Sequence, residues 1–184
     1  MKVEKTKLEG CYILKPNIIT DSRGYFFESF NQKKFEDLTG ANGHFVQDNQ
    51  SASVYGVVRG LHYQKGIHAQ AKLVRVIEGA VMDVAVDLRA DSSTFGQWVG
   101  IELSAENNWQ FYIPRGFAHG FSVLSESAVF AYKCDNEYNK ASEGGIRYDD
   151  PSLAIDWGIP ADKMIISDKD MLLPYLNDKN LVAI

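Results

Sequence analysis

The chain has 184 residues, of which 45% are hydrophobic, so it is long enough to bury one sizeable core. Its formal net charge of -5 disfavours a general affinity for nucleic acid, so any basic site must be local. No apolar run is long enough for a membrane span or a secretory signal, and the 2 cysteines suggest neither a disulfide framework nor a zinc site, so we expect a cytoplasmic protein.

Short runs of β-branched and aromatic residues, separated by turn residues, predict strands along most of the chain. In chain order the predicted strands are Cys11–Leu14, Tyr25–Phe30, Val54–Tyr63, Lys72–Glu78, Val81–Leu88, Trp98–Leu103, Trp109–Ile113, Gly120–Leu124 and Ala128–Cys134. A hairpin is predicted at Gly79-Ala80. The spacing predicts a sandwich or barrel rather than alternating strands and helices.

One helix is predicted, at about Gln32–Thr39, with Asn31 as its N-cap and Gly40 as its end. Phe35 and Leu38 would share one face of this helix. The segment from residue 151 onwards is interrupted by prolines and is expected to pack on the barrel instead of forming a second domain. We therefore expect residues 1–184 to form a single domain.

Arg59, His62 and Lys72 lie close together in a region of predicted strands. Arginine matches phosphate, histidine accepts a proton near neutral pH, and lysine can stabilise a developing oxyanion. Strict alternation would put Arg59 and His62 on opposite faces of their strand. Gly60 lies between them and is typical of a bulge, which would let both side chains reach one site. The alternative is a regular ladder with Arg59 in solvent.

Alternation within two other strands gives further expectations. Asp83 and Asp87 share one face of their strand, which we expect to be solvated; the alternative is that Asp83 lines a polar pocket. Tyr132 shares a face with Phe130 and is expected to point into the barrel.

The segment Pro114-Arg115-Gly116-Phe117-Ala118-His119 contains Pro-x-Gly-x-x-His, which resembles the second signature of the cupin superfamily of β-barrels. Metal-binding cupins carry His-x-His in their first signature, whereas here His62 is followed by Tyr63 and Gln64. A single histidine followed by tyrosine and glutamine offers too few suitable ligands for a metal ion, so we expect no metal and no cofactor. His119 is then either a buried histidine bonded to backbone or a group that faces a substrate carbonyl.

Further motifs follow one another along nearly the whole chain, from about residue 5 to about residue 172. They are Asp21-x-Arg23-Gly24-x-Phe26-x-Glu28-Ser29-Phe30, Phe45-Val46-Gln47-Asp48-Asn49, Arg59-Gly60-Leu61-His62, Gln70-x-Lys72-Leu73-Val74-Arg75, Asp83-Val84-Ala85-Val86-Asp87, Phe95-Gly96-Gln97-Trp98, Tyr132-Lys133 and Ser167-Asp168-Lys169-Asp170. Together with the cupin signature they resemble the dTDP-4-dehydrorhamnose 3,5-epimerase family.

The resemblance implies a mainly β fold, a cupin-type double-stranded β-helix (jelly-roll) barrel with a few short peripheral helices. Residues 1–50 would form an N-terminal arm that contacts substrate and a second copy of the chain. Residues 151–184 would form a C-terminal segment packed on the barrel. The implied assembly is a homodimer, because in this family the Arg23–Glu28 segment crosses the dimer interface.

The family's substrate is a 4-keto-6-deoxyhexose linked to dTDP, whose C4 carbonyl acidifies the protons on C3 and C5. The resemblance implies His62 as the base, Tyr132 as the acid, Asp170 as the residue that orients His62, and Lys72 as the cation at the enolate oxygen. His119 would assist Lys72. Two alternatives to Asp170 are the neighbouring Asp168 and the strand residue Asp83.

The resemblance also implies residues for the nucleotide half of the substrate. Arg23 and Arg59 would contact the diphosphate, since their forked donors suit phosphate oxygens. Phe26 and Tyr138 would stack on the base, with ordinary packing as the alternative. The other implied substrate contacts are Glu28, Gln47, Asn49, Glu143 and Lys169.

The implied reaction converts dTDP-4-keto-6-deoxy-D-glucose to dTDP-4-keto-L-rhamnose, a step of dTDP-L-rhamnose biosynthesis for cell-surface polysaccharide such as O-antigen. One alternative is a single-centre epimerase or ketoisomerase acting on another dTDP-4-keto sugar. Another is a non-catalytic or metal-binding cupin, against which the missing His-x-His and the full acid–base set both argue.

Overall fold

The computed structural model describes residues 1–177, which are mainly β-strand. The first half contains β1 (Lys2–Lys5), β2 (Tyr12–Lys15), β3 (Ile19–Asp21), β4 (Gly24–Phe26), α1 (Gln32–Thr39), β5 (Gln47–Val54), β6 (Val57–Gln64), β7 (Lys72–Glu78) and β8 (Ala80–Asp87). The second half contains β9 (Trp98–Ser104), β10 (Gln110–Ile113), β11 (Phe117–Val123), β12 (Ser127–Cys134), β13 (Glu143–Gly145), β14 (Ile165–Ile166) and α2 (Asp168–Met171). Three short 3₁₀ helices lie at Gly66–His68, Lys140–Ser142 and Ala161–Lys163.

Two six-stranded sheets form the body of the fold. The first sheet has the order β1-β2-β10-β7-β12-β5, and the second has the order β13-β6-β11-β8-β9 with β14 beside β6. Val74 and Phe130 of the first sheet share a buried core cluster with Ala85 and Phe121 of the second. The sheets therefore face each other, which confirms the predicted jelly-roll barrel of the cupin type.

Helix α1 has the predicted bounds and both predicted caps. The Asn31 side chain accepts a hydrogen bond from the backbone N–H of Lys34, and Gly40 ends the helix with φ 70°. Phe35 is buried against the rings of Phe30, Phe45 and Tyr112. Leu38, however, is 46% exposed, so the face that these two residues were predicted to share is buried only at Phe35.

The predicted strand Val54–Tyr63 is wrong, because a turn at Tyr55-Gly56 divides it between β5 and β6. Gly56 has φ 84°, and a Cβ there would lie 2.2 Å from the carbonyl oxygen of Lys163, so only glycine fits this turn. Strand β5 was not predicted, because its residues are mostly polar and lack the β-branched signature. The predicted hairpin at Gly79-Ala80 is wrong, because β7 ends at Glu78 in the first sheet and β8 begins at Ala80 in the second, so the two strands do not pair.

The segment after residue 150 covers the outer face of the second sheet. Leu153, Trp157 and Ile159 are buried in a cluster with Val58 and Val84. Residues 178–184 of the predicted C-terminal segment lie outside the described residues, and the single-domain interpretation stays a prediction.

Strands β3 and β4 form a separate two-stranded sheet. It exposes large apolar side chains, including Ile19, Tyr25 and Phe26, the last 70% exposed. The predicted strand Tyr25–Phe30 therefore ends early, at Phe26. Within residues 1–177, no helix is long and apolar enough to span a membrane.

Candidate active site

A bulge in β6 brings Arg59 and His62 to the same cavity. His62 pairs with His119 of β11, whereas Arg59 pairs with Phe121, so three steps along β6 match two along β11. Gly60 takes up the extra residue with φ 120°, and a Cβ there would lie 2.6 Å from the Cα of Gly120. Both Arg59 and His62 line a cavity of about 580 Å³ between the sheets, which confirms the bulge interpretation.

His62 is held by Asp170, the first residue predicted to orient it. Its Nε2 lies 2.7 Å from Oδ1 of Asp170, whose Oδ2 accepts a hydrogen bond of 3.2 Å from the backbone N–H of Gly60. Asp170 lies in α2, which Ser167 caps. Burial raises the pKa of Asp170, but the hydrogen bonds from His62 and Gly60 outweigh it and hold the pKa below its usual value. Asp170 is therefore an ionised partner for His62.

A second histidine–carboxylate pair lies beside the first. Nε2 of His119 is 2.9 Å from Oδ2 of Asp83, and both side chains are buried. Asp83 thus binds His119 and is not the partner of His62. His119 is buried, as one of its two alternatives predicted, but its Nε2 bonds the carboxylate of Asp83 instead of backbone.

The expected solvated face of β8 is also wrong. Asp83 and Ala85 face the core between the two sheets, and the other face of β8 is covered by the segment after residue 150, so neither face reaches solvent. Asp87 is fully buried and is neutralised by Arg89 at 2.7 Å, with further hydrogen bonds from Ser92 and Thr94.

Lys72 and Tyr132 line the same cavity from the first sheet, opposite the two histidines. The Lys72 ammonium is 5.9 Å from the centre of the Tyr132 ring. Burial lowers the pKa of Lys72 and raises the pKa of Tyr132, because it disfavours the charged form of each. At neutral pH the Tyr132 phenol therefore keeps its proton.

A smaller cavity of about 290 Å³ adjoins the first and shares His62, Lys72 and Tyr132 with it. Four predicted nucleotide or substrate contacts line it: Gln47, Asn49, Tyr138 and Glu143.

Hydrogen bonds and an ion pair fix the walls of this smaller cavity. The Gln47 side chain donates to Oδ1 of Asn49 at 3.0 Å and accepts from the backbone N–H of Tyr138 at 3.0 Å. The carboxylate of Glu143 binds Nζ of Lys169 at 2.8 Å. This ion pair lowers the pKa of Glu143 and raises the pKa of Lys169, so both stay charged.

Three predicted substrate contacts lie away from both cavities. Phe26 lies on β4, and Arg23 lies in the turn between β3 and β4, where it pairs with Asp21. Glu28 is bound by Lys34 at 2.8 Å. Strands β3 and β4 form a sheet separate from the two sheets of the barrel. The fold of one chain therefore does not bring these residues to His62.

The sequence interpretation missed Ser51 and Ser53, which continue the row formed by Gln47 and Asn49 on β5. Gln47, Asn49, Ser51 and Ser53 are each less exposed than the residues between them, so they share the inner face of the strand. Ser53 accepts a hydrogen bond of 3.2 Å from Nε of Arg59. A period-two alternation of polar residues was the available signal.

Among residues 1–177, no group of three or more His, Cys, Asp or Glu side chains is arranged to hold a metal ion. The absence of a metal from the reaction stays a prediction.

The model of the dTDP-4-dehydrorhamnose 3,5-epimerase family matches residues 5–178. The chain belongs to this family. It is 53% identical to the dTDP-4-dehydrorhamnose 3,5-epimerase of Shigella flexneri over 171 residues, 93% of each chain. These matches confirm the family suggested by the motifs, and with it an isomerase.

Two solved structures of the epimerase family superpose on nearly the whole chain. The dTDP-4-dehydrorhamnose 3,5-epimerase of Elizabethkingia anophelis is 64% identical, with a TM-score of 0.95 and coverage of 98% of this chain and 99% of that chain. A dTDP-6-deoxy-D-glucose-3,5-epimerase of Legionella pneumophila, in complex with dTDP-4-keto-L-rhamnose, is 52% identical, with a TM-score of 0.92 and coverage of 96% and 93%. The barrel described above is thus the fold of the family.

Proposed function

We propose that this protein epimerises C3 and C5 of dTDP-4-keto-6-deoxy-D-glucose to give dTDP-4-keto-L-rhamnose, in dTDP-L-rhamnose biosynthesis. The observation that carries the proposal is the His62–Asp170 pair, with 2.7 Å between Nε2 and Oδ1, in a cavity that Tyr132 lines from the opposite sheet. A base and an acid on opposite walls suit removal of a proton from one face of a sugar and its return to the other.

His62 is the base in this proposal. Its Nδ1 takes the proton from the carbon next to the C4 carbonyl, while Nε2 donates to the ionised Asp170. The carboxylate fixes the tautomer and stabilises the imidazolium that forms. A general base of this kind contributes about 10²–10⁴-fold to the rate, so it is not sufficient for so weak a carbon acid.

The remaining stabilisation acts on the enolate oxygen. Lys72 lines the cavity beside His62 and His119 and can place a cation at the C4 oxygen. A buried charge acts strongly there because little water screens it. We place His119 beside the same oxygen, because it lines the cavity together with Lys72.

Tyr132 is the acid. Burial raises its pKa, so the phenol carries a proton to deliver at neutral pH. It lies on the first sheet, whereas His62 lies on the second, so the returning proton reaches the face opposite the one that lost it. Inversion at each carbon follows from this placement.

The nucleotide half of the substrate would extend from this cavity. Arg59 offers its terminal guanidinium nitrogens to the diphosphate, while Nε is held by Ser53. Tyr138, which is half exposed at the rim of the smaller cavity, would stack on the base. The other contacts in the proposal are Gln47, Asn49, Glu143 and Lys169.

Arg23, Phe26 and Glu28 enter the proposal through a homodimer. The β3–β4 arm exposes apolar rings and lies away from the His62 cavity of its own chain. In a dimer the arm of one copy would complete the nucleotide site of the other, with Arg23 at the diphosphate, Phe26 at the base and Glu28 at the nucleoside. We also propose that the enzyme is cytoplasmic and needs no cofactor.

Solvent exchange in deuterated water tests the function. With dTDP-4-keto-6-deoxy-D-glucose we expect deuterium at both C3 and C5 of the product, read by mass spectrometry and proton NMR. Deuterium at one carbon only would instead identify a single-centre epimerase. An inactive protein after metal removal, restored by a stoichiometric metal, would contradict the cofactor-independent mechanism.

A further inference from the structure

Helix α2, which carries Asp170, is held by side chains on both sides of that residue. Directly before it, Lys169 binds the carboxylate of Glu143 at 2.8 Å. Directly after it, the carbonyl oxygen of Met171 accepts a hydrogen bond of 3.0 Å from Nη1 of Arg147. A helix of 4 residues has too few internal hydrogen bonds to fix its own position, so the position of the Asp170 carboxylate depends on such outside contacts.

The two ends of α2 depend on different contacts. Before the helix, β14 pairs with β6, and the side chain of Ser167 accepts a hydrogen bond of 3.1 Å from the backbone N–H of Asp170. At the other end the last carbonyl oxygens of a helix have no partners inside it, and Arg147 supplies a donor to that of Met171. Arg147 therefore fixes the end of the helix that follows Asp170.

The Arg147 side chain is itself held in place. Its Nε and Nη2 bind the two oxygens of Asp149 at 2.8 Å each, and its guanidinium carbon lies 5.1 Å from the centre of the Tyr175 ring. Its backbone N–H donates to the carbonyl oxygen of Pro174 at 2.9 Å. The forked pair with Asp149 uses two of the three guanidinium nitrogens and leaves Nη1 for Met171.

The segment that carries Arg147 is bonded to the strand that carries His62. Gly145 of β13 is paired with His62 of β6. The next residue, Ile146, exchanges two backbone hydrogen bonds of 2.9 and 3.0 Å with Leu61. Arg147 follows at once, so it connects the strand of the proposed base to the helix of the aspartate that binds this base.

We propose that Arg147 is a positioning residue for the epimerisation, which holds α2 so that the Asp170 carboxylate stays within hydrogen-bonding distance of His62. This inference rests on the proposed function. Arg147 lines neither cavity, so it acts through Asp170 and not on the substrate. Without Arg147 the distance between the carboxylate and the imidazole would vary, and an imidazole without its carboxylate loses its fixed tautomer and the stabilisation of its protonated form.

The first test is a double-mutant cycle between Arg147 and Asp170. Arg147→Met keeps the apolar stem and removes the donors. We expect kcat for exchange at C3 and C5 to fall roughly 5–20-fold, less than for loss of the Asp170 carboxylate itself. Affinity for dTDP should stay within about twofold of wild type. In an Asp170→Ala background the same substitution should cost less than about twofold in kcat, because the group through which Arg147 acts is already gone.

The matched control is Lys163→Met, which removes a positive charge from the same C-terminal segment. Lys163 pairs with its neighbour Asp162, and its side chain is 60% exposed. This variant should match wild type in kcat and affinity. If Arg147→Met costs the same factor with and without the Asp170 carboxylate, Arg147 only stabilises the fold and the inference is wrong.

Arg147→Lys is the milder variant for the case that Arg147→Met does not fold. It keeps the positive charge beside Asp149, but one ammonium does not reproduce a fork that binds Asp149 with two nitrogens and Met171 with the third. We expect kcat to fall roughly 2–10-fold with dTDP affinity retained, and this loss should again disappear in the Asp170→Ala background. A lysine variant with the kcat of wild type would overturn the inference.

A measurement without turnover separates this inference from the proposed function. The chain has 4 histidines, so their ring N–H signals can be followed by ¹⁵N NMR, with His62→Asn to assign the signal of interest. In wild type and in Lys163→Met the Nε2 proton of His62 should be protected by its bond to Asp170, whereas in the Arg147 variants it should exchange faster with water. An unchanged signal in those variants would contradict the inference. Missing deuterium exchange in wild type would contradict the proposed function, while the NMR comparison would still decide whether Arg147 positions Asp170.

Discussion

The two histidine–carboxylate pairs of the cavity have the same connectivity in different surroundings. His62 and His119 face each other on β6 and β11, and each binds an aspartate through Nε2. The His62 side chain is 40% exposed, whereas that of His119 is 8% exposed. A base must meet the substrate's carbon and exchange its proton with solvent, which suits His62. His119 is instead suited to a fixed hydrogen bond.

The carboxylates differ in the same way. Asp170 has a backbone N–H and an exposed imidazole as partners, and its pKa is lowered. Asp83 has one imidazole partner, and burial raises its pKa. The histidine–aspartate pairing alone therefore does not determine the charge state of the aspartate. The number of hydrogen-bond donors to the carboxylate and its access to water determine it.

The largest expected effect comes from His62→Ala. Exchange at both C3 and C5 should fall by about 10²–10⁴-fold, since the base is lost. Affinity for dTDP, measured by calorimetry, should be retained because the nucleotide contacts are elsewhere. His119→Ala is the matched variant and should lose less, roughly 10–100-fold. Equal losses in the two variants would contradict the division of roles.

Tyr132→Phe should lower the rate of correct product formation roughly 10²-fold, because the reprotonating group is removed. Initial loss of the substrate proton depends on His62 and should be affected less. The ratio of deuterium wash-in to product formation, followed by NMR, checks this. A variant that turns over as fast as wild type would show that Tyr132 is not the acid.

Asp170→Asn should lower the exchange rate by roughly 10–100-fold, through loss of the orientation of His62. It should also lower Tm at neutral pH. The folded-state pKa of Asp170 is depressed, so its contribution to stability is present above the usual value of 3.8 and is lost as the pH falls through the folded-state pKa. The Tm difference from wild type should therefore narrow below about pH 4. A gap independent of pH would mean that ionisation of Asp170 does not stabilise the fold.

The smallest effect is expected for Ser53→Ala. Ser53 lies on β5 of the first sheet, whereas both histidines lie on the second sheet. Loss of the hydrogen bond to Nε of Arg59 should weaken dTDP affinity by roughly 2–10-fold, with kcat unchanged. Ala52→Ser is a suitable control, because residue 52 is exposed on the other face of β5. A change in kcat instead of affinity would place Arg59 at the sugar and not at the diphosphate.

Local sequence patterns were sufficient to predict features that depend on one or a few neighbouring residues. The caps of α1 at Asn31 and Gly40 depend on the conformations of single residues, so they were predicted correctly. The same holds for Gly60, whose place between Arg59 and His62 indicated the bulge. The turn at Gly79 was also placed correctly, but the two strands that it joins belong to different sheets and form no hairpin. Polar strand β5 and the turn at Gly56 were missed, because their hydrogen bonds are made with distant parts of the chain. Strand β5 pairs with β12, and the backbone of Gly56 bonds the backbone of Val123 and Ile165.

The sequence by itself determined the family and the barrel and indicated the candidate acid–base residues, because ordered motifs and strand periodicity are carried along the chain. Only the tertiary structure decided which aspartate serves which histidine. Asp170 reaches His62 from a helix 108 residues away along the chain, and Asp83 reaches His119 from the neighbouring strand. It also decided that the face of β8 carrying Asp83 and Asp87 is buried, because burial depends on what covers a strand and not on the alternation within it.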